Sequence, residues 1–467
     1  MSTAAERRPA PGGGFFERRF RLASRQTTVR NEVLGGVATF MTMSYILFVN
    51  PAILSAADMP FAAVAVATAI AAAVATLAMG LFTNLPFALA PGLGINAVVA
   101  FDIVLGRGIE WPVAMAVIVI EGLIALVLVL AGLRGAIMRA VPMALKLSIG
   151  VGIGLFITLV GLREGGIVVN NPATGIALGD LTAGPPLIAL AGILVAAVLV
   201  ARRLRGAVIL GVVAATLLGL VFGVLEGPDG VVETPASDDF SIIGEALDPD
   251  FLGDALSVSL IPVIFALFMT DFFDTIGTAV AVGRGGGLLD DRGRIPRADR
   301  LLLVDSSAAA VGGAMGVSSV TTYVESGAGV AEGARSGLAS LVTAALFLLT
   351  ILFVPIVALV AQAVPFGEET FIHPAIAPAL VMVGYLMMRI VRDIDWDAPE
   401  SAIPAFLTVA GIPLTFSIAA GIGFGVIGYV VVMLTIGKGR HIHPLMWAIA
   451  PFFLLFFAAD WLEVNVF

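Results

Sequence analysis

The stretches Asp271-Phe-Phe-Asp-Thr-Ile-Gly-Thr278 and Ser318-Ser-Val-Thr-Thr-Tyr-Val-Glu-Ser-Gly-Ala-Gly329 place carboxylates inside the most apolar parts of this chain. Each surrounds its acid with Gly, Ser or Thr, and each falls where hydropathy asks for a membrane helix. A charge at membrane depth is costly, so an acid retained there marks a substrate or ion pathway. Two such acids on separate, glycine-interrupted segments point to a transporter site built from discontinuous helices.

The surrounding composition supports that reading. Of 467 residues, 59% are hydrophobic and 13% charged, and mean hydropathy is +1.05. An ordinary soluble domain carries roughly 25% charged residues. The deficit runs along the whole length, so the chain reads as an all-α polytopic membrane protein. The first apolar run, Val33 to Leu54, is long enough to span a bilayer and has no small-residue cleavage site behind it. No cleaved signal peptide is therefore expected. With no cysteine, disulfides, thiolate metal sites and cysteine nucleophiles are excluded. The net charge of −9 is concentrated in residues 226–250, which hold eight acids and no Lys or Arg. That segment reads as a solvated loop rather than a surface for a basic partner.

Apolar runs of spanning length lie at 32–55, 62–83, 88–104, 111–132, 141–162, 186–203 and 206–225. After the acidic loop come 255–282, 300–316, 318–333, 336–363, 373–391, 401–418 and 420–437. This gives seven segments plus seven, with 444–461 as a further apolar stretch that either spans or lies at the interface. Placing the N-terminus in the cytoplasm puts 23 of the 25 Lys and Arg inside, leaving Arg107 and Arg163 outside together with the acidic loop. The positive-inside bias thus orients the protein in the cytoplasmic membrane.

The halves echo each other. Phe40-Met-Thr-Met-Ser-Tyr in the first segment matches Phe268-Met-Thr-Asp-Phe-Phe in the eighth, an offset of 228 residues that also carries Asn96 to Val324, beside Glu325. An odd number of spans per repeat makes the repeat inverted. The short, Gly/Pro-rich third and tenth segments occupy corresponding places, which points to a midplane site between them.

Asp271, Asp274 and Thr278 are spaced to share one helix face, with Gly277 beside them. Asp274 and Glu325 are read as converging on one pocket. The competing reading, in which each satisfies a nearby helix end or hydroxyl, is even for Asp271. Ionised carboxylates accept hydrogen bonds, so the pocket suits a flat, neutral ligand with N–H donors, such as a purine edge, and repels anions. Two buried carboxyls close together titrate as a unit, so Asp274 and Glu325 are also the expected carriers of a coupling proton. Asn96 both donates and accepts and suits the ligand's other edge; capping its own helix is the alternative. Phe272, Phe273 and Tyr323 are ligand stackers or, as aromatics usually are, packing. Glu121 is read as a proton relay or, preferentially, as a structural partner to a polar group in the other half. Asp305 is expected to brace its helix. The three histidines, His373, His441 and His443, fall at segment ends, away from a membrane relay. Pro91-Gly-Leu-Gly lacks the spacing and lysine of a phosphate loop.

These residues carry a family resemblance. Arg30 to Pro51 (RNEVLGGVATFMTMSYILFVNP), Ala90 to Ala97 (APGLGINA), Asp271 to Thr278, Thr321 to Val330 and Ile403 to Thr408 (IPAFLT) occur in the order seen in the AzgA-like purine permeases. The chain resembles that branch of the nucleobase–ascorbate transporter superfamily over nearly its whole length. The resemblance implies fourteen helices in a seven-plus-seven inverted repeat, with short strands in helices 3 and 10. It implies a core domain at 31–133 and 252–364 and a gate domain at 134–226 and 365–440. Around them lie the basic tail 1–30, the acidic loop 227–251 and the hydrophobic segment 441–467. It further implies elevator-like transport in a homodimer, with the purine-binding acids on Asp274 and Glu325 and supporting polar positions on Thr278 and Asn96. Asp rather than Glu at 274, and Ser-Gly-Ala rather than Ser-Ala-Ala after Glu325, alter the reach and shape of the pocket.

The expectation is a proton-coupled importer of adenine, guanine or hypoxanthine, embedded in membrane lipid, with no cofactor, metal or nucleic-acid partner. A uracil or xanthine permease of the same fold is the nearest alternative. An anion exchanger would replace the paired acids with positive charge or helix dipoles. A channel would show repeated charge rings or carbonyls. An enzyme would need a nucleophile–base or metal set, which no cysteine or intramembrane histidine supplies.

Overall fold

The computed structural model describes residues 14–466 except 133–140, 205, 229, 258, 290–294, 296 and 368–370, and no side chain of Phe273 or of 459–466. Arg134, Arg139 and Arg205 of the expected inside loops, and part of the N-terminal tail, lie outside the described residues.

The first apolar segment is two helices, α1 (Val29–Met43) and α2 (Ile46–Ser55). Thr28 caps α1 by accepting from the Asn31 N–H, a common helix start. The chain between them tightens at Ser44 and Tyr45, where Leu47 N and Phe48 N bond the carbonyls three residues back at 3.1 Å. A single helix was expected over 32–55; this turn breaks it and aims Tyr45 inward. Helix α3 (Phe61–Thr83) runs unbroken. The third segment is then strand β1 (Leu89–Pro91), helix α4 (Leu93–Ala97) and its continuation through Val104 in a wider winding.

Helices α5 (Trp111–Leu130), α6 (Met143–Glu164), α7 (Gly184–Ala201) and α8 (Ala207–Val221) complete the first half. Between α6 and α7 lies a small antiparallel hairpin of β2 (Val168–Asn171) and β3 (Gly175–Leu178), absent from the sequence expectation. The second half contains α9 (Ile261–Gly285), α10 (Ala298–Ala314), β4 (Val320–Thr322) and α11 (Ser326–Ala331). It continues through α12 (Gly337–Thr350), α13 (Val354–Val360), α14 (Ala377–Met388), α15 (Pro399–Thr415) and α16 (Ile418–Thr435). Each of the fourteen expected segments therefore corresponds to a helix, a helix pair or a strand–helix pair. Among the described residues, eight helical spans are long and apolar enough to cross a membrane, with α1 and α2, and α12 and α13, each pair counted as one. Of the other six segments, the third and tenth are interrupted by strands, and α8, α10, α14 and α15 have only 15, 17, 12 and 17 residues. The stretch after residue 444 is helix α17 (Pro444–Val466), which packs on α16 and α9 through Phe452, Phe453 and Phe457.

The short strands implied by the resemblance are present and pair with each other. β1 and β4 run antiparallel with Leu89 opposite Thr322, Ala90 opposite Thr321 and Pro91 opposite Val320. The pairing satisfies backbone groups that would be costly to expose to lipid, and it ties the broken helices of the two halves together. Matching β1 to β4 as repeat counterparts sets Gly94, rather than Asn96, in the place of Glu325. The sequence offset is overturned here, because the breaks within the two halves differ in length.

Packing divides the helices into two groups. In one, α1 and α3 pack on α12, α10 packs on α3 and α5, α9 packs on α5 and α11, and α11 packs on α1. In the other, α6 packs on α14 and α15, α15 on α16, and α7 and α8 on each other and on α14. The groups meet at fewer places, one being a cluster of Phe101, Phe156 and Phe416 with ring centres 5.2–6.5 Å apart. Beside it the Ser417 hydroxyl donates to Asp102 Oδ2 at 2.5 Å, while Arg107 Nε donates to Asp102 Oδ1 at 3.0 Å.

Candidate functional site

A cavity lies where the two groups of helices meet, with about 620 Å³ of atom-free space, part of it open to solvent. Its polar wall comes from the β1–α4 turn, α9 and the β4–α11 turn, through Thr270, Asp271, Asp274, Thr278, Thr322 and Glu325 among others. Its apolar wall comes from the second group, through Ile153 of α6 and Val383 and Met387 of α14. The acids of the two opening stretches thus face one space, although 51 residues of chain separate Asp274 from Glu325.

Asp274 is open to this cavity and Glu325 partly so. Glu325 sits at the start of α11, just past the strand, and accepts a hydrogen bond from the Tyr45 hydroxyl at 2.5 Å. Tyr45 reaches it because α1 and α2 turn at that residue. Sequence reasoning missed Tyr45 as a site residue; a lone tyrosine in the middle of an apolar run carries no signal by itself. On α9, one turn of helix separates Asp271, Asp274 and Thr278, and all three line the cavity. Asp271 is 2% exposed and its Oδ1 has no hydrogen-bond partner.

Behind the polar wall, Asp305 of α10 holds the strand in place. Its Oδ1 accepts from the Thr322 N–H at 3.0 Å and the Thr322 hydroxyl at 2.8 Å, and its Oδ2 accepts from the Thr275 hydroxyl at 2.6 Å. Asp305 thus braces other elements rather than its own helix, which it was expected to brace, and it fixes β4, and with it Glu325, against α9. Tyr323 lines the cavity while its hydroxyl donates to the Pro91 carbonyl across the strand pair.

Asn96 is placed differently from the expectation. It is fully buried and outside the cavity lining, and its Nδ2 donates to Asn50 Oδ1. Asn50 in turn donates to the Thr68 hydroxyl at 2.8 Å. The cause is geometric: α4 starts at Leu93, so Asn96 turns toward α2 while Gly92 and Gly94 face the cavity. A Cβ on Gly94 would lie 2.6 Å from Ile153 Cγ2. The absence of a side chain there lets the polar and apolar walls approach. Phe272 is buried and packs on Phe268, with ring centres 5.6 Å apart. The side chain of Phe273 lies outside the described residues. Glu121 is buried away from the cavity.

Comparison with known proteins agrees with this arrangement. The Xan_ur_permease model, described as a permease family, matches residues 30–451. The chain belongs to this permease family. It is 42% identical to the guanine/hypoxanthine permease PbuG of Bacillus subtilis, covering 92% of this chain and 97% of PbuG. It is 38% identical to the adenine permease AdeP of Escherichia coli, covering 95% of this chain and 96% of AdeP. Among solved structures, the transmembrane domain of the cyanobacterial bicarbonate transporter BicA superposes with a TM-score of 0.58 at 16% identity, covering 84% of this chain and 97% of that one. SLC26A9 superposes with a TM-score of 0.59 at 13% identity, covering 87% of this chain and 65% of that one. These likenesses concern the fold. The permease is thus a polytopic membrane protein and not an enzyme, and its cavity sits between the strand-bearing broken helices of the two halves.

Proposed function

We propose that this permease imports purine nucleobases (adenine, guanine or hypoxanthine) by proton symport with elevator-type alternating access. The observation that carries the reading is that Asp274 and Glu325 face one cavity whose opposite wall is apolar. A purine presents N–H donors along its edges and two apolar faces. The carboxylates accept from the edge, Thr278 offers a hydroxyl, and Ile153, Val383 and Met387 cover a ring face. No lysine, arginine or histidine lines the cavity among the described residues, which disfavours an anionic substrate. The names and near full-length alignment of PbuG and AdeP support the same substrate class.

The elevator reading is supported by the division of labour between the walls. All the polar groups of the site belong to one packed group of helices and the apolar wall to the other, so movement of the first past the second would carry the site with the substrate. We further propose that the permease is a homodimer in the cytoplasmic membrane, with its basic N-terminal tail in the cytoplasm. The Lys and Arg distribution supports that orientation.

Uptake of labelled hypoxanthine and adenine in a purine-transport-deficient host tests the proposal. Saturable uptake that collapses with a protonophore is expected. Asp274→Asn and Glu325→Gln should each abolish it. If Glu325→Gln leaves uptake and its pH dependence unchanged, the proposed site is wrong. Competition by uracil or xanthine alone would replace the adenine, guanine and hypoxanthine reading.

A further inference from the structure

Glu121, midway along α5, is fully buried, and neither of its carboxylate oxygens has a hydrogen-bond partner. Its position is fixed by a close helix crossing: a Cβ on the adjacent Gly122 would lie 2.4 Å from Ala310 N of α10. Glu121 is also not isolated electrically. Helix α5 packs on α10, which carries Asp305, and on α9, which carries Asp271 and Asp274.

The neighbouring acids are served differently. Asp305 accepts three hydrogen bonds, from Thr275 and twice from Thr322. Donors of that number suit an ionised carboxylate. Glu121 accepts none. An ionised carboxylate in a dry interior without a donor or countercharge costs several kcal/mol. Other charged groups on elements packed against α5 lie elsewhere along it. Glu245, Asp250 and Asp254 belong to segments near its beginning, where Gly244 N bonds Ala314 O and Gly313 meets Met115. Asp102, paired with Arg107, lies before α5, and Asp299, Arg300 and Arg284 occupy the distant ends of α10 and α9.

We propose that Glu121 is an internal proton-binding site, reached from the substrate cavity through Asp271, and that its proton is the one coupled to transport. This deepens the symport reading above and rests on it. Asp271 is suited to the connecting role because it lines the cavity, its buried Oδ1 has no hydrogen-bond partner, and its helix packs on α5. A proton on Glu121 removes one of the negative charges crowding Asp271 and Asp274. Asp274 is then free to accept from a purine in its ionised form. Binding of purine and uptake of a proton from water therefore favour each other.

The test uses full-length permease in lipid nanodiscs, in weak buffer with a pH indicator dye. In buffer alkaline enough for the empty permease to have released the Glu121 proton, adding the purine that the wild type transports should cause proton uptake by the wild type, and Glu121→Gln should take up none. Wild-type proton uptake by Glu121→Gln overturns the proposal. No uptake by the wild type refutes instead the symport reading on which it rests. Should Glu121→Gln fail to fold, Glu121→Asp keeps the carboxyl but withdraws it from its seat. It must then shift the pH at which proton uptake is half-maximal, and an unshifted midpoint overturns the proposal.

Discussion

Tyr45→Phe removes a single oxygen from a residue that is 2% exposed, and leaves its ring packing intact. That oxygen donates to Glu325 Oε1 at 2.5 Å. A hydrogen bond to a charged group contributes about 1.5–3 kcal/mol, and about 1.4 kcal/mol is a tenfold change in an equilibrium constant. If the bond serves to aim Glu325 at the ligand, losing it should weaken purine binding by roughly tenfold to roughly a hundredfold. The assay is equilibrium binding of labelled hypoxanthine or adenine to purified permease in nanodiscs, with thermal unfolding recorded for both proteins. Because the ring stays in place, the unfolding temperature should move far less than the affinity. An affinity within about twofold of the wild type, at unchanged stability, would refute the argument. Glu325 would then be positioned by its own backbone at the start of α11, and Tyr45 would be packing alone.

Gly94→Ala puts a methyl 2.6 Å from Ile153 Cγ2, and overpacking of this kind costs about 1–3 kcal/mol. Uptake should fall, and Ile153→Ala in the same protein should restore part of it; a double variant no better than the single one would show that the seam is not the obstacle. Asn96→Ala should lower the unfolding temperature through loss of its bond to Asn50, while purine affinity stays within about threefold. A larger loss of affinity would return Asn96 to the binding site.

The class of fold was legible because membrane insertion is a one-dimensional problem. Apolar run length and the Lys/Arg bias are properties of the chain, and fourteen segments emerged at nearly the right places. The strands of segments 3 and 10 were implied by family resemblance, since three residues such as Val320–Thr322 carry no periodicity to read. The break at Ser44–Tyr45 was missed because all its neighbours are compatible with a continuous helix. Asp274 and Glu325 stood out by cost alone. Asn96 lies outside the cavity lining because α4 starts at Leu93 and turns its side chain toward Asn50 of α2, a direction that sequence spacing does not carry.

What the sequence determined by itself was therefore which groups are expensive: five carboxyls, Glu121, Asp271, Asp274, Asp305 and Glu325, set in apolar surroundings that retain them at a free-energy cost. What only the tertiary structure decided was how each is compensated. The placing of β4 beside α10, the turn between α1 and α2, and the crossing of α5 with α10 give Asp305 three donors, Glu325 a tyrosine and Glu121 none. Those partners come from distant parts of the chain, Tyr45 being 280 residues from Glu325. Local spacing carries no information about contacts at that range, because strand register and helix crossing set them.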